Sequence, residues 1–325
     1  MLEYSPIIER GVSLKKALML LNMGGPNSVD EVEMFLQNMF SDKNILTMDR
    51  YTRKLVGGII IYKRLDEVKE NFVKHLGGKS PLPELTNRLI EKLQTKLDIP
   101  IVPAMRYVPP FATPSLEKFK ADGVEELLLF PMYPQYSTTT TLSSVEDIEE
   151  RCEAIGYAPK ITVIDPYYDD YDYIKMSVEK IMEALGDKDS KDYDLLLSAH
   201  GLPVSIIKAG DPYENQVEAN VSAIKIYLHE RGIIFKNIKL VYQSKVGSSS
   251  WLEPNLVDVL RNPYHRKVLI YPLAFTVDNS ETVYELEIEH REIADKIKYD
   301  DYRVAKCFND DDAFVELIVK KIEEL

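Results

Sequence analysis

His200 is the histidine best placed for chemistry, because it closely follows Leu195–Ser198, a short apolar run typical of a buried strand. In open parallel sheets, ligand-binding residues collect beyond the carboxyl ends of strands. A neutral imidazole there either accepts a proton or binds a metal, although a purely structural role is also consistent with the residue taken alone. The remaining histidines lie in polar or amphipathic stretches or beside a helix end, and no chemical role is predicted for them: His75, His229, His265 and His290.

A row of glutamates is the second chemical feature, and it lies in Phe275–Glu289 (FTVDNSETVYELEIE). If an α-helix begins near Asn279 or Ser280, four carboxylates fall within an arc of about 80°. They are Glu281, Glu285, Glu289 and Glu292. The same geometry predicts a separate buried stripe of Val283, Leu286, Ile293 and Ile297. Acidic rows are usually solvated faces, but this row begins at a strand's carboxyl end, which suits a track for hard or borderline cations.

Flat and hydroxyl-bearing side chains follow other predicted strands. Arg106 and Tyr107 supply a cation and a ring, and Trp251 is the single tryptophan, which together would suit a planar acidic ligand. Tyr136 opens a hydroxyl-rich turn that either binds an anionic group or caps the next helix.

The elements that must position these residues follow from apolar runs short enough to be buried parallel strands. Amphipathic segments separate most of them, which predicts an α/β fold with parallel sheets. The runs are Ala17–Asn22, Ile101–Met105, Leu127–Phe130, Ile161–Ile164, Leu195–Ser198, Ile238–Tyr242 and Val268–Tyr271.

A weak internal duplication predicts two lobes, because three strand ends in each half carry the unusual residues. Two such lobes would face one another across a central cleft. We expect a first lobe over residues 1–165, a second over 166–310 that includes the acidic helix, and a C-terminal helix over 311–325 that packs back on the first lobe.

Composition limits the function. The 325 residues exceed the roughly 250–300 at which one core stops growing, which agrees with two lobes. A net charge of −13 disfavours nucleic acid as a ligand. Two cysteines suit a reducing cytoplasm, and the first 14 residues carry three charges where a secretory signal needs an apolar stretch.

The segment Leu46–Tyr62 is an apolar stretch with basic flanks. Its longest uninterrupted run, Leu55–Tyr62, is far shorter than the roughly 20 residues that cross a bilayer. The segment is either a buried helix or a surface that binds anionic lipid and gates the cleft.

Eight motifs, taken in this order, resemble the ferrochelatase family, whose members catalyse the terminal step of heme biosynthesis. The resemblance extends over roughly residues 17–309. The motifs are LNMGGP at 21–26, GGKSPL at 77–82, RYVPP at 106–110, YPQYS at 133–137, SAHGLP at 198–203, GDPY at 210–213, YQSKVG at 242–247 with WLEP at 251–254, and FTVDNSETVYELEIE at 275–289.

The resemblance implies two Rossmann-like, chelatase-type lobes that clasp a porphyrin. It implies a lyase that inserts Fe(II) into protoporphyrin IX and releases two pyrrole protons. His200 matches the family's active-site histidine, Glu281 its catalytic glutamate, and Glu285 and Glu289 the acidic path leading from it. These four residues are therefore expected to contact the metal, and whether His200 accepts protons or ligates the metal stays open.

The resemblance also implies a porphyrin cleft, lined by Met23, Arg106, Tyr107 and Trp251, with Tyr136 added from the hydroxyl-rich turn. Met23 is typical of the protoporphyrin type, whereas the coproporphyrin type tends to carry tyrosine there. Two departures matter. Asn279 stands where many members have a second histidine, and the cysteine cluster of animal enzymes has no counterpart, which predicts no iron–sulfur cluster and no cofactor beyond the Fe(II) substrate.

Two other functions are kept as alternatives. One is a chelatase for another metal or tetrapyrrole, such as cobalt or coproporphyrin, since fold does not fix substrate. The other is a non-enzymatic carrier of heme or metal. In each case we expect a cytoplasmic monomer, with peripheral contact to the inner membrane surface through the segment 46–62.

Overall fold

The computed structural model describes residues 15–245 and 250–325. Residues 1–14 of the expected first lobe, and Val246 and Gly247 of the YQSKVG motif, lie outside the described residues.

Two sheets of four parallel strands form the framework, which confirms the predicted α/β fold with two lobes. The first sheet has the order β2-β1-β3-β4 and the second the order β6-β5-β7-β8, so the two lobes repeat one topology. The strands are β1 (Lys16–Asn22), β2 (Ile101–Met105), β3 (Glu126–Pro131), β4 (Lys160–Val163), β5 (Asp194–His200), β6 (Asn237–Gln243), β7 (Lys267–Pro272) and β8 (Asp301–Val304).

Helices connect the strands, as parallel pairing requires. The α-helices are α1 (Glu31–Ser41), α2 (Arg50–His75), α3 (Leu82–Gln94), α4 (Ala112–Ala121), α5 (Ser143–Ala154), α6 (Tyr171–Leu185), α7 (Val204–Lys208), α8 (Tyr213–Glu230), α9 (Leu256–Arg261), α10 (His290–Ile297) and α11 (Asp312–Glu323). Residues 15–245 and 250–325 also contain two π-helices, the first over Thr138–Leu142 and the second over Glu281–Glu289, and a short 3₁₀-helix over Ser190–Asp192.

The central strands are buried on both faces, which is why they read as unbroken apolar runs. In β1, Leu18 and Leu20 join one cluster, while alternate residues such as Met19 join another. The first of these clusters extends into the second lobe, where it includes Leu197 of β5. The two lobes therefore share one core, and each has a further cluster on its outer face.

The C-terminal helix α11 contacts helices of both lobes. Lys96, just after α3, pairs with Glu316 at 2.8 Å, and Asp172 of α6 pairs with Lys320 at 2.6 Å. The buried face of α11 also joins the shared core. Because α11 contacts α3 of the first lobe and α6 of the second, it links the two lobes.

Candidate active site

His200 is the last residue of β5, at the carboxyl edge of the second sheet. Its backbone carbonyl accepts a hydrogen bond of 3.0 Å from the Tyr213 hydroxyl, which fixes the strand end. The next residue must be small, because a Cβ on Gly201 would lie 2.9 Å from the Gln243 carbonyl oxygen and 3.4 Å from the Trp251 ring. Glycine thus lets the chain turn away from β6 and leaves the imidazole at the sheet edge.

Glu281 is the first residue of the second π-helix, and its carboxylate meets His200. The distance from His200 Nδ1 to Glu281 Oε2 is 2.7 Å. Asn279 sets the start of this helix, because its side chain accepts the Glu281 backbone N–H at 2.8 Å while its own N–H donates to Thr282 Oγ1 at 3.0 Å. His200 and Glu281 keep 35% and 30% of their side-chain surface exposed, so a ligand can reach the pair.

Ser244 joins the first two carboxylates of the row, and it was missing from the predicted site. Its hydroxyl lies 3.1 Å from Glu281 Oε2 and 2.6 Å from Glu285 Oε2, and its backbone N–H donates to Glu285 Oε1 at 2.9 Å. Ser244 has a φ of +64°, which turns both donors toward the helix. The available signal was its position directly after a predicted strand, within the YQSKVG motif.

The electrostatics of the cluster follow from its burial and its shared charges. Burial lowers the pKa of His200, but the charges of Glu281 and Glu285 outweigh it, so the pKa lies above its usual value. Burial raises the pKa of Glu281, but the His200 charge and the hydrogen bonds from His200 and Ser244 lower it by more. The pKa of Glu281 therefore lies below its usual value. Burial and the neighbouring Glu281 charge raise the pKa of Glu285 to about 7. Glu285 is therefore the carboxylate of this cluster that exchanges a proton near neutrality.

The first three carboxylates of the acidic row lie on a π-helix rather than the α-helix that was expected, and the fourth, Glu292, lies on α10. The His290 backbone N–H donates to the Glu285 carbonyl, which is the i→i+5 bond of a π-helix. Of the predicted buried stripe, Leu286 is fully buried, Ile293 is half-buried and packs against the same apolar cluster, and Val283 and Ile297 are only half-buried. The buried residues follow one another at intervals of four: Thr282, Leu286, His290 and Ala294.

Glu285 and Glu289 continue the row outward from Glu281. The Glu285 side chain is only 16% exposed, whereas Glu289 is exposed. Behind the row, His290 is 2% exposed, and burial lowers its pKa to about 4. Within residues 15–245 and 250–325, no three His, Cys, Asp or Glu side chains are arranged around one point as metal ligands.

Arg106 and Tyr107 lie where β2 ends in the first lobe. The Tyr107 hydroxyl donates to Asp42 Oδ2 at 2.8 Å, and Arg106 reaches the same carboxylate at 3.4 Å. Tyr107 is fully buried, and Arg106 is half-buried with a second contact to Asp147 at 3.1 Å. Asp42 thus positions both side chains at the end of β2, and no pattern in the sequence predicted this role.

Met23 lies beside them in the turn after β1. Its backbone carbonyl accepts the Tyr107 N–H at 3.0 Å, and its side chain is half-buried. The next residue, Gly24, has a φ of +89°, and a Cβ there would lie 2.7 Å from Val108, so the turn and the β2 end need glycine to approach this closely.

Tyr136 and Trp251 are both half-buried, on the first and second lobe respectively. The Tyr136 N–H donates to Gln216 at 2.7 Å, a contact between the lobes. Trp251 pairs with Pro203 in an isolated bridge, so its ring packs beside the turn that follows His200.

Asp211 of the GDPY motif was not predicted as a site residue, but it joins the lobes close to His200. Its carboxylate accepts the Thr138 N–H at 2.7 Å and the Ser137 hydroxyl at 2.9 Å, at the start of the first π-helix. It also accepts the Tyr213 N–H at 2.9 Å. The chain of contacts from the first π-helix through Asp211 and Tyr213 to the His200 carbonyl links both lobes to the site.

The segment 46–62 forms the turn after α1 and the first half of α2. One stripe of this half-helix is exposed, with Tyr51 at 86%, Leu55 at 66%, Ile59 at 48% and Tyr62 at 88%. The opposite side, including Ile60, packs on α1. The segment is therefore neither wholly buried nor wholly exposed.

Two parallel α/β lobes with a histidine–carboxylate pair at the strand ends define a protein of the two-lobed chelatase type. Solved structures share this fold. The sirohydrochlorin chelatase SirB from Bacillus subtilis, in complex with cobalt, aligns with a TM-score of 0.58 at 10% identity, covering 96% of this chain and 95% of that one. CbiX, the terminal enzyme of siroheme biosynthesis in denitrifying bacteria, aligns with a TM-score of 0.51 at 12% identity, covering 95% and 98%.

The chain belongs to the ferrochelatase family, whose family model matches residues 15–325. It is 48% identical over 314 residues to the ferrochelatase of Wolinella succinogenes, covering 96% of this chain and 99% of the relative. It is 42% identical over 317 residues to the ferrochelatase of Helicobacter pylori strain P12, covering 96% and 94%. The resemblance stated from the motifs is thereby confirmed.

Proposed function

We propose that this protein is a ferrochelatase, a lyase that inserts Fe(II) into protoporphyrin IX to give protoheme with release of two protons. The observation that carries the proposal is the hydrogen bond between His200 Nδ1 and Glu281 Oε2, made at the carboxyl edge of the second sheet with both side chains partly exposed. Family membership supports the same reaction.

The chemistry needs acceptors for two pyrrole protons and ligands for an incoming cation. An imidazole and a carboxylate at hydrogen-bond distance supply both, because each group can hold a proton or bind a metal. Ser244 Oγ lies 3.1 Å from Glu281 Oε2, the same oxygen that meets His200, and this contact helps to position the carboxylate before substrate arrives. Glu285 lies next along the helix with a pKa of about 7, which suits it to take a proton from the pair and pass it outward.

Met23, Arg106, Tyr136 and Trp251 are the surfaces that we assign to the porphyrin. Arg106 supplies a positive charge for a carboxylate, and the apolar and aromatic side chains supply flat contact area. Tyr107, which is fully buried, is assigned to holding Asp42 and Arg106 in place beneath that surface.

Anaerobic mixing of the purified chain with Fe(II) and protoporphyrin IX tests the proposal. Many equivalents of protoheme should form per protein. Glu281→Gln should lower turnover by about 100-fold or more while porphyrin still binds. Glu287→Gln is the matched control, because Glu287 lies on the same π-helix but pairs with Arg291 away from the pair.

Three results would overturn parts of the proposal. Formation of one equivalent of heme without turnover would identify a carrier. Preference for cobalt or coproporphyrin would identify another chelatase. Retention of more than roughly a tenth of the activity by Glu281→Gln would remove this residue from the chemistry.

We further propose that α2 makes the peripheral membrane contact. No helix within the described ranges is both long enough and apolar enough to cross a bilayer. The exposed stripe of α2 lies beside the exposed cations Lys54 and Lys63, which favours anionic headgroups. Replacing Leu55 and Ile59 together by serine should weaken sedimentation with anionic phospholipid vesicles and leave the melting temperature unchanged.

Val73→Ser is the control for the vesicle experiment, because Val73 is 60% exposed at the far end of the same helix. Equal vesicle binding by the wild type and the double variant would refute the contact. We also propose a cytoplasmic monomer without an iron–sulfur cluster, which light scattering and acid-labile sulfide analysis of the purified protein would check.

A further inference from the structure

Asn309 lies in the turn between β8 and α11, and its φ of +55° is a left-handed conformation that asparagine adopts more readily than most residues. Its backbone N–H donates to the Thr276 carbonyl at 2.9 Å. Its side-chain oxygen accepts the Asp278 N–H at 2.8 Å, and its side-chain nitrogen donates to Asp278 Oδ2 at 2.8 Å. These three bonds tie Asn309 to the loop between β7 and the second π-helix.

Asp278 is a buried carboxylate in that loop, and only 9% of the residue is exposed. Besides the Asn309 amide on Oδ2, it accepts the Thr282 hydroxyl at 2.9 Å and the Cys307 N–H at 3.3 Å on Oδ1. A buried carboxylate is costly unless donors satisfy its oxygens. The Asn309 amide supplies the donor for Oδ2 and thereby fixes the orientation of the Asp278 side chain.

Thr282 connects Asp278 to the first turn of the second π-helix. It is 2% exposed and directly follows Glu281. Its hydroxyl donates to Asp278 Oδ1 and accepts the Asn279 N–H. A displaced Asp278 would therefore release the turn from which the Glu281 carboxylate reaches His200.

The same loop is also bound to the first lobe. Thr276 is 1% exposed, and its hydroxyl donates to the Met132 carbonyl, directly after β3, at 2.8 Å. The Thr276 carbonyl accepts the Asn309 N–H, so this residue is held from two sides. The loop that leads to Glu281 is therefore fixed relative to the first lobe, which carries most of the side chains assigned to the porphyrin.

We propose that Asn309 is a positioning residue for Glu281, and that it acts through Asp278. The inference rests on the proposed function for the role of Glu281 in the reaction. Both oxygens of Asp278 accept hydrogen bonds from the protein, which suits a fixed anchor rather than a group that takes a proton from the porphyrin.

Asn309→Asp tests the contact directly. The substitution keeps the size of the side chain, but it places a carboxylate where the amide donated to Asp278 across 2.8 Å. We expect kcat to fall by about 10- to 100-fold, because small misplacements of a reacting group have effects of this size. KM for porphyrin should stay at the wild-type value. Asn87→Asp is the matched control, since Asn87 is exposed on α3, and it should change neither constant.

Exchange of the two side chains gives a sharper test. Asp278→Asn alone removes the acceptor for the Asn309 amide and should also lower kcat. In the double variant Asp278→Asn, Asn309→Asp, the amide at position 278 can donate to the carboxylate at position 309. The amide oxygen at position 278 still accepts from Thr282 and Cys307. The double variant should recover kcat to within about threefold of the wild-type value, because residues in contact are not additive.

Hydrogen exchange of the porphyrin-free full chain gives a readout that does not depend on the reaction. Mass spectrometry of the peptide over residues 277–289 follows the backbone N–H groups of the loop end and the second π-helix. Exchange should be faster by about tenfold or more in Asn309→Asp, because this segment opens locally. It should return to the wild-type rate in the double variant, while peptides from β5 stay unchanged.

Wild-type kcat in a folded Asn309→Asp protein would overturn the proposal. A double variant whose exchange recovers, but whose kcat stays as low as in Asp278→Asn, would place the Asp278 carboxylate in the chemistry and overturn its assignment as an anchor. If Asn309→Asp does not fold, Asn309→Gly gives the same test, because glycine accepts the positive φ without strain and lacks the amide. If the wild type forms no heme but the exchange rates change as expected, the anchor stands and the proposed reaction falls.

Discussion

Glu285→Gln should make the protein more stable at alkaline pH than the wild type. Burial and the Glu281 charge raise the pKa of Glu285 from its ordinary 4.5 to about 7. A group whose pKa is raised by folding stabilises the fold fully below its unfolded pKa, and this contribution is lost as the pH rises through its folded pKa. Ionised Glu285 is therefore a destabilising charge above pH 7, and glutamine never carries it.

The size of the effect follows from the same pKa. One pKa unit corresponds to about 1.4 kcal/mol. A rise in the pKa from 4.5 to about 7 therefore lowers the free energy of unfolding by about 3 kcal/mol when Glu285 changes from fully protonated to fully ionised. The amide oxygen of glutamine can still accept the Ser244 N–H, so the neutral side chains are closely matched. The difference in free energy of unfolding between variant and wild type should be small at pH 5 and approach about 3 kcal/mol at pH 8.

Urea unfolding followed by circular dichroism, with a chelator present to keep the row free of metal, measures this difference across the pH range. Glu292→Gln is the control, because Glu292 is exposed on α10 and pairs with Lys296 at 3.5 Å. The control should not alter the pH dependence. A difference for Glu285→Gln that stays constant or shrinks between pH 5 and 8 would refute the assignment of a buried, repelled carboxylate.

Three further outcomes are expected. Gly201→Ala should destabilise the fold by about 1–3 kcal/mol, measured by urea unfolding, because its Cβ would lie 2.9 Å from a backbone carbonyl oxygen. Asp211→Asn should lower the melting temperature and reduce kcat, because an amide nitrogen would face donors at the first π-helix. The acid limb of kcat/KM should lie above the ordinary pKa of histidine and move to lower pH in Glu285→Gln, because that charge raises the pKa of His200.

The meeting of His200 and Glu281 was predictable because His200 ends one strand of a parallel sheet, Glu281 follows another, and the carboxyl ends of parallel strands lie at one edge. Apolar runs locate β5 and β7, and the pairing of these strands brings the residues after them together. The position of Asp211 was not predictable in this way. It lies in a loop, and its partners at the first π-helix belong to the other lobe, so no local pattern indicates them.

Ser244 was missed for a different reason. Its contribution depends on one backbone dihedral, the φ of +64°, which points its N–H and hydroxyl toward the π-helix. Glycine, asparagine or aspartate would have drawn attention to a left-handed residue, and serine does not. The contacts of Asp42 with Tyr107 and Ser143 could not be predicted either, because they join residues about 65 to 100 positions apart in the chain.

The second π-helix, in contrast, has a recognisable spacing of buried residues in the sequence. This spacing was overlooked because an α-helix was assumed. In an α-helix, a step of four residues overshoots one turn by about 40°, so a buried stripe needs steps of three and four. Here the buried residues Thr282, Leu286, His290 and Ala294 follow one another in unbroken steps of four. A π-helical turn contains more than four residues, so four residues rotate by less than one full turn about the axis. In the α-helix that follows, four residues rotate by more than one full turn, and the two deviations offset each other. The first three carboxylates of the acidic row, Glu281, Glu285 and Glu289, have the same step of four and run alongside the buried stripe, which is why His290 lies behind Glu285.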